Sequence, residues 1–274
     1  MVGEHPGRVE PAALGRVAAR VRELAESYEP PAFAEAPHTD AVLFLCAIDH
    51  RTGYRGDYLV DAKGPFGGSD LLWHLGLLAE SRHPGALSAP SLEGIDGDRL
   101  GEMFAVGGET LAGADERAAL WRDLAAGLIR DYDGEAESLL RACDGRLAGG
   151  GGLLERLGAF AAYADPLAKK SFLFAKIAAR RGWLQVSDPE SWEVCADNVL
   201  MRLALRSGLV HPGEAEEVRG ATRAAFKAVA GEAGIEPPVL DDLLWELGRN
   251  DPDLLGDNAG DISEPQRPAG TLWY

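Results

Sequence analysis

From residue 10 onward the chain alternates short apolar stripes with polar or Pro/Gly breaks, and most stripes carry helical spacing. Leu14, Val17, Val21 and Leu24 recur every three or four positions across Glu10–Ser27, which predicts an amphipathic helix stopped by Glu29-Pro30-Pro31. Residues 1–9 read as a loose leader. Ala41 to Ile48 is apolar without interruption, so it predicts a buried element, strand or core helix, that runs into polar Asp49-His50-Arg51-Thr52. Tyr54–Asp61 predicts a short strand or hairpin arm, broken by Gly64-Pro65-Phe66-Gly67-Gly68. Ser69 or Asp70 is then placed to cap a helix carrying Leu71, Leu72, Leu75 and Leu78, ended by His83-Pro84. Further helices are predicted over Asp98–Ala105, Ala114–Tyr132, Glu135–Leu147 and Leu153–Tyr163, the last two divided by the loop Gly149–Gly152. Pro212–Gly231 and Val239–Gly248 predict two more, with Pro237-Pro238 as a stop between them. The closing Leu272-Trp273-Tyr274 is expected to dock on the body. The sum is a mainly α chain with a small β element near residues 54–61. It reads as one helical domain that can be drawn as two lobes, about 28–148 and 153–249 plus the N-terminal helix, with a cleft between.

Asp165 to Val210 reads as helix, loop, helix. In the first helix each residue advances by about 100°, so Leu173, Phe174 and Ile177 fall on the face of Lys170. Lys169 shares another face with Lys176 and Arg180, an ordinary basic stripe. A lysine aimed at a core needs a route to water, a partner or a chemical task. Asp197 precedes Asn198-Val199-Leu200-Met201 and is well placed as a helix N-cap. The same carboxylate, held ionised by the positive end of the helix, could stabilise a sugar cation or activate water. Asp49-His50 is a possible acid–base pair, although neighbours on a regular element point apart. Trp73, Trp183 and Trp192 read as core or lid residues, and Asp241-Asp242 as a helix start.

Charge narrows the choices. The net charge of −17 leaves few spare cations for phosphate contacts, which argues against duplex DNA. No apolar run is long enough to span a membrane, and no secretory leader is visible, so a cytoplasmic location is expected. Cys46, Cys143 and Cys195 stand far apart without metal-ligand spacing, and no metal or cofactor is expected. GxSxG, HExxH, Walker A and GxGxxG motifs are all missing.

The order of features resembles the queuosine salvage family of queuosine 5′-phosphate N-glycosylases/hydrolases. The resemblance rests on Ala41–Thr52, Tyr54–Asp61, Gly67-Gly68-Ser69-Asp70-Leu71-Leu72, Pro84–Ala89, Leu100–Phe104 and Glu116-Arg117 through Gly134. It continues through Asp165, Lys169-Lys170, Ala196-Asp197 and Leu240-Asp241-Asp242-Leu243-Leu244-Trp245 to Tyr274. It departs at Asn198-Val199 and Met201, where the family has Tyr-Arg and a proline. The core also resembles helix-hairpin-helix DNA glycosylases through Lys170-Ser171-Phe172-Leu173-Phe174-Ala175 and Asp197 to Leu209, but residues 182–196 lack a phosphate-gripping hairpin. The resemblances imply a helix-hairpin-helix-glycosylase-like fold and hydrolysis of the base–ribose bond of a 7-deazaguanine nucleotide, releasing queuine for tRNA-modification salvage. Asp197 and Lys170 would be catalytic, and Lys169, Asp165, Asp49 and His50 would bind the nucleotide. A DNA glycosylase/lyase with Lys170 as nucleophile, or a non-catalytic nucleotide-binding protein, remain the alternatives.

Overall fold

The apolar run at 41–48 is a helix, and its burial organises one of the two compact units into which the chain divides. The computed structural model describes residues 9–257 and 270–273; residues 1–8 of the predicted leader and the terminal Tyr274 lie outside the described residues. Among the described residues the protein is mainly helical, with twelve α-helices and one two-stranded sheet. One unit, called terminal here, comprises Met1–Pro31 and Glu190–Thr271; the other, central, comprises Ala32–Pro189 with Leu272–Tyr274.

In the terminal unit, α1 (Pro11–Ala25) starts with proline at its first turn, where no intrahelical N–H bond is lost, and buries Val17 and Val21. The central unit opens with α2 (Thr39–Ile48), whose residues Ala41 to Ile48 are all fully buried. A ten-residue helix that is apolar all round has no solvent face, which is why its sequence carries no period. Around it pack α3 (Gly68–Arg82), α6 (Ala114–Asp131), α7 (Ala136–Ala142) and α9 (Lys169–Arg180). Gly76 lets α3 close on α2, since a methyl group there would overlap Leu45. Trp121 Nε1 and Tyr163 Oη donate to the α2 carbonyls of Phe44 and Leu43 at 2.7 and 2.6 Å, so two bulky core side chains keep their polar atoms satisfied.

The strand expected at 54–61 is β1 (Tyr58–Val60), and its partner β2 (Lys63–Phe66) occupies residues expected to break it. Asp61 and Ala62, both at positive φ, make the tight turn between them. Helix α3 is capped by Gly67 rather than by Ser69 or Asp70, which sit in its first turn. Two short helices follow, α4 (Ala89–Leu92), not predicted, and α5 (Gly97–Met103). The predicted 135–147 helix shortens to α7, and the predicted 153–163 helix breaks into α8 (Leu153–Leu157) and a single 3-10 turn, Ala161–Tyr163.

The terminal unit resumes with α10 (Asn198–Arg206), α11 (Ala215–Ala233) and α12 (Pro237–Gly248), and α1 packs on α11. Pro237 and Pro238 begin α12 instead of stopping its predecessor, because proline's fixed φ suits the first helical turn. This places Asp241 and Asp242 in the second turn, both buried, rather than at a helix start. No described helix is long and apolar enough to cross a membrane.

Candidate functional site

Burying α2 end to end creates a problem at its termini, where backbone groups lack intrahelical partners. At the start, His38 Nδ1 accepts from Ala41 N at 3.3 Å, while Nε2 lies 3.1 Å from buried Glu80. At the end, the sequence-predicted residues gather. Lys170, 0% exposed, donates from Nζ to Ala47 O at 2.6 Å and lies 3.0 Å from His50 Nδ1. Lys169 Nζ donates to Asp49 O at 3.2 Å. Arg117, from the first turn of α6, donates from Nη2 to His50 O and Arg51 O and from Nη1 to Ala112 O. These cations meet the negative end of the α2 dipole, which is a structural use for each.

The Asp49 carboxylate is held by neutral donors: Ser69 Oγ at 2.8 Å on Oδ1 and Trp73 Nε1 at 3.2 Å on Oδ2. Ser69, freed from capping α3, and Trp73 therefore belong to this cluster. Asp165 also has a local task. Its carboxylate accepts from Leu167 N and Lys169 N at 3.0 and 2.9 Å, fastening the start of α9. The expected basic stripe is corrected: Lys169 and Lys176 are buried and Arg180 is half-buried, because α9 packs against α2 on one side and α8 on another.

His50 differs from its neighbours. Its residue is 5% exposed, and Nε2 has no hydrogen-bond partner among the described residues. Lys170 Nζ donates to Ala47 O; where it is an ammonium it also donates to Nδ1, and the ring proton of neutral His50 is then on Nε2 as an unused donor. Burial first, then the charges of Lys170 and Arg117, pushes the imidazole pKa far below its ordinary value, so the ring is neutral. Burial and the Lys169 charge likewise pull the Lys170 ammonium well below the usual lysine range. Arg117 Nε and Ser171 Oγ nearby are likewise buried polar atoms without a hydrogen-bond partner among the described residues.

Asp197 lies in the terminal unit, where it caps α10, its Oδ1 accepting from Leu200 N at 3.1 Å. It is half-buried. No protein-family model matches this chain, and no curated protein does. A concavity of about 820 Å³ lies elsewhere in the central unit, floored by Leu75, Leu78, Leu92, Ile95 and Met103, and none of the six predicted site residues lines it. Its charged rim residues are exposed, and Arg82 and Asp61 pair with each other at 2.8 Å. The buried, partnerless His50 nitrogen is the stronger pointer to a ligand.

The two depressed pKa values make a pH prediction. Where the native form holds fewer protons than the unfolded chain, stability rises with pH. For His50 the loss sets in as pH falls below the unfolded value of 6.5. Denaturant unfolding of wild type is expected to lose about 2 kcal/mol more than His50→Gln between about pH 6.5 and 4.5. For Lys170 the corresponding window is alkaline, with stability rising toward the unfolded value of 10.5. Parallel pH curves for wild type and His50→Gln would rule out a buried neutral imidazole.

Proposed function

We propose that the protein is an N-glycosidase that hydrolyses the base–ribose bond of a 7-deazaguanine nucleotide, with queuosine 5′-phosphate as substrate and queuine as the released base. The observation that carries this reading is the buried His50 imidazole, held at Nδ1 by Lys170, whose Nε2 has no hydrogen-bond partner among the described residues. An unpaired buried N–H costs about 1–3 kcal/mol, and an acceptor on the edge of a nucleobase would remove that cost on binding. Lys170 then acts through His50, holding the ring rather than touching the substrate. Lys169, Asp165 and Asp49 shape the same region by fastening its backbone or, for Asp49, through Ser69 and Trp73.

The resemblance, and not any placement relative to His50, gives the carboxylate role to Asp197. The C1′–N bond breaks with its electron pair going to the base, and the ribosyl cation left behind is stabilised by the negative carboxylate. Water then adds at C1′ and gives up a proton, the departing base nitrogen takes up one proton, and the products are free base and ribose 5-phosphate. The expected result is release of free base and ribose 5-phosphate in equal amounts when the purified protein is incubated with queuosine 5′-phosphate, read by chromatography and mass spectrometry. One observation favours a second reading: burial pulls the Lys170 pKa well below the usual lysine range, the direction in which a nucleophilic amine is tuned. A borohydride-trapped adduct with damaged duplex DNA would establish that lyase reading instead. Thermal stabilisation by the nucleotide without turnover would leave a binding protein.

A further inference from the structure

The residues leading into Asp197 are buried yet irregular. Trp192, Val194, Cys195 and Ala196 are all buried, outside any helix or strand. Connecting segments ordinarily run over the surface, because buried backbone N–H and C=O groups without regular partners must be satisfied some other way. Here charged side chains from two helices do it. Asp241 of α12 accepts from Cys195 N through Oδ1 at 2.7 Å, and Arg219 of α11 donates from Nε to Ala196 O at 3.0 Å. Ala196 N donates back to Val194 O at 3.0 Å. Arg219 is 0% and Asp241 3% exposed. Downstream, Met201 N donates to Asp197 O at 2.9 Å and Leu200 N to its carboxylate.

Asp197 is thus fastened on both sides, and a helix cap needs only the downstream half. Ser, Asn or Gly at the end of a surface loop caps a helix with water serving the preceding backbone. Taking an arginine and an aspartate fully out of water costs several kcal/mol per ion before their bonds repay it. That cost is explained if the direction of the Asp197 carboxylate has to be held closely, since misplacing a reacting group by about 1 Å can lower a rate 100-fold.

We infer that Arg219 and Asp241 are positioning residues that aim the Asp197 carboxylate by clamping the Ala196–Asp197 and Val194–Cys195 peptide groups that lead into it. The inference rests on the glycosidase reading for its consequence in rate, and on geometry alone for the clamp. Its test uses Arg219→Lys, which keeps the charge but not the Nε position, and Asp241→Ala against Asp241→Asn, which keeps an acceptor oxygen. Two readouts are taken on the full chain. The first is amide hydrogen exchange of Leu200, whose N–H bonds the Asp197 carboxylate, measured against Leu205 at the far end of α10. The second is kcat and KM for base release from queuosine 5′-phosphate. In Arg219→Lys and Asp241→Ala, Leu200 protection is expected to fall at least tenfold with Leu205 unchanged. In the same two variants kcat is expected to fall roughly 10- to 100-fold with KM within about threefold. Asp241→Asn is expected to restore both. Unchanged Leu200 protection overturns the clamp, and so does unchanged kcat in an active enzyme. If wild type releases no base, the glycosidase reading has failed, and the exchange readout alone decides the clamp. Should Arg219→Lys fail to fold, the Asp241 pair decides it.

Discussion

Asp197→Asn is expected to lower base release from queuosine 5′-phosphate by about 10²- to 10⁴-fold while leaving unfolding within about 0.5 kcal/mol of wild type. The two halves of that expectation come from different properties of one side chain. As a cap, asparagine is as good as aspartate: its amide oxygen can take the Leu200 N–H that Oδ1 takes now, and the extended backbone at Asp197 suits either residue. As a counter-charge to a ribosyl cation, asparagine supplies nothing. The lost interaction belongs to the transition state, so kcat and kcat/KM should fall together rather than KM rising alone. Asp197→Ala should show the same loss of rate and, in addition, lose about 1 kcal/mol of stability with the cap. Wild-type turnover in Asp197→Asn would leave Asp197 as a cap and nothing more.

The helices were legible wherever one face meets solvent. Residues 114–131 and 215–233 carry a stripe that reads directly as α6 and α11. Helix α2 was not, because a segment surrounded on every side has no polar face to set a period. The same limit explains Lys169. A helical wheel assumes one buried side, and α9 has two, so a lysine placed on the polar stripe is nonetheless buried. Lys170 was legible as anomalous, since it sat among Leu173, Phe174 and Ile177. Arg219 carries the same signal: Ala215, Phe226 and Ala230 share its face of α11, and a charge there needs a partner. Asp241 was hidden by a local misreading, because prolines taken as a stop were the first turn of the helix that carries it. The unpartnered His50 nitrogen had no signal in the sequence, since it depends on Lys170, 120 residues away along the chain, occupying Nδ1.

Arg117→Met is expected to destabilise the protein by about 3 kcal/mol, the largest effect on folding of any single polar residue in the central cluster. Methionine matches the arginine stem, so packing is largely kept and the change isolates the guanidinium. That group serves three carbonyls, a buried one of His50 and part-buried ones of Arg51 and Ala112, and ties the chain leaving α2 to the start of α6. Hydrogen bonds to a charged donor contribute about 1.5–3 kcal/mol each, on the order of 6 for three. Against this stands the cost of holding the charge out of water. Burial is the main cause that pulls the Arg117 pKa from 12.5 down to about 10, against smaller opposing effects from Glu116, Asp49 and Tyr54, and it offsets part of that gain. The difference favours the arginine, and deleting it leaves carbonyls that methionine cannot serve. Arg117→Lys should fall between the two, because an ammonium cannot reach all three acceptors with the planar fork of a guanidinium. Urea unfolding at constant m measures the change. A shift below about 1 kcal/mol would mean that water replaces the guanidinium at these carbonyls. The α2 terminus, and with it the His50 ring, would then be held by the two lysines alone.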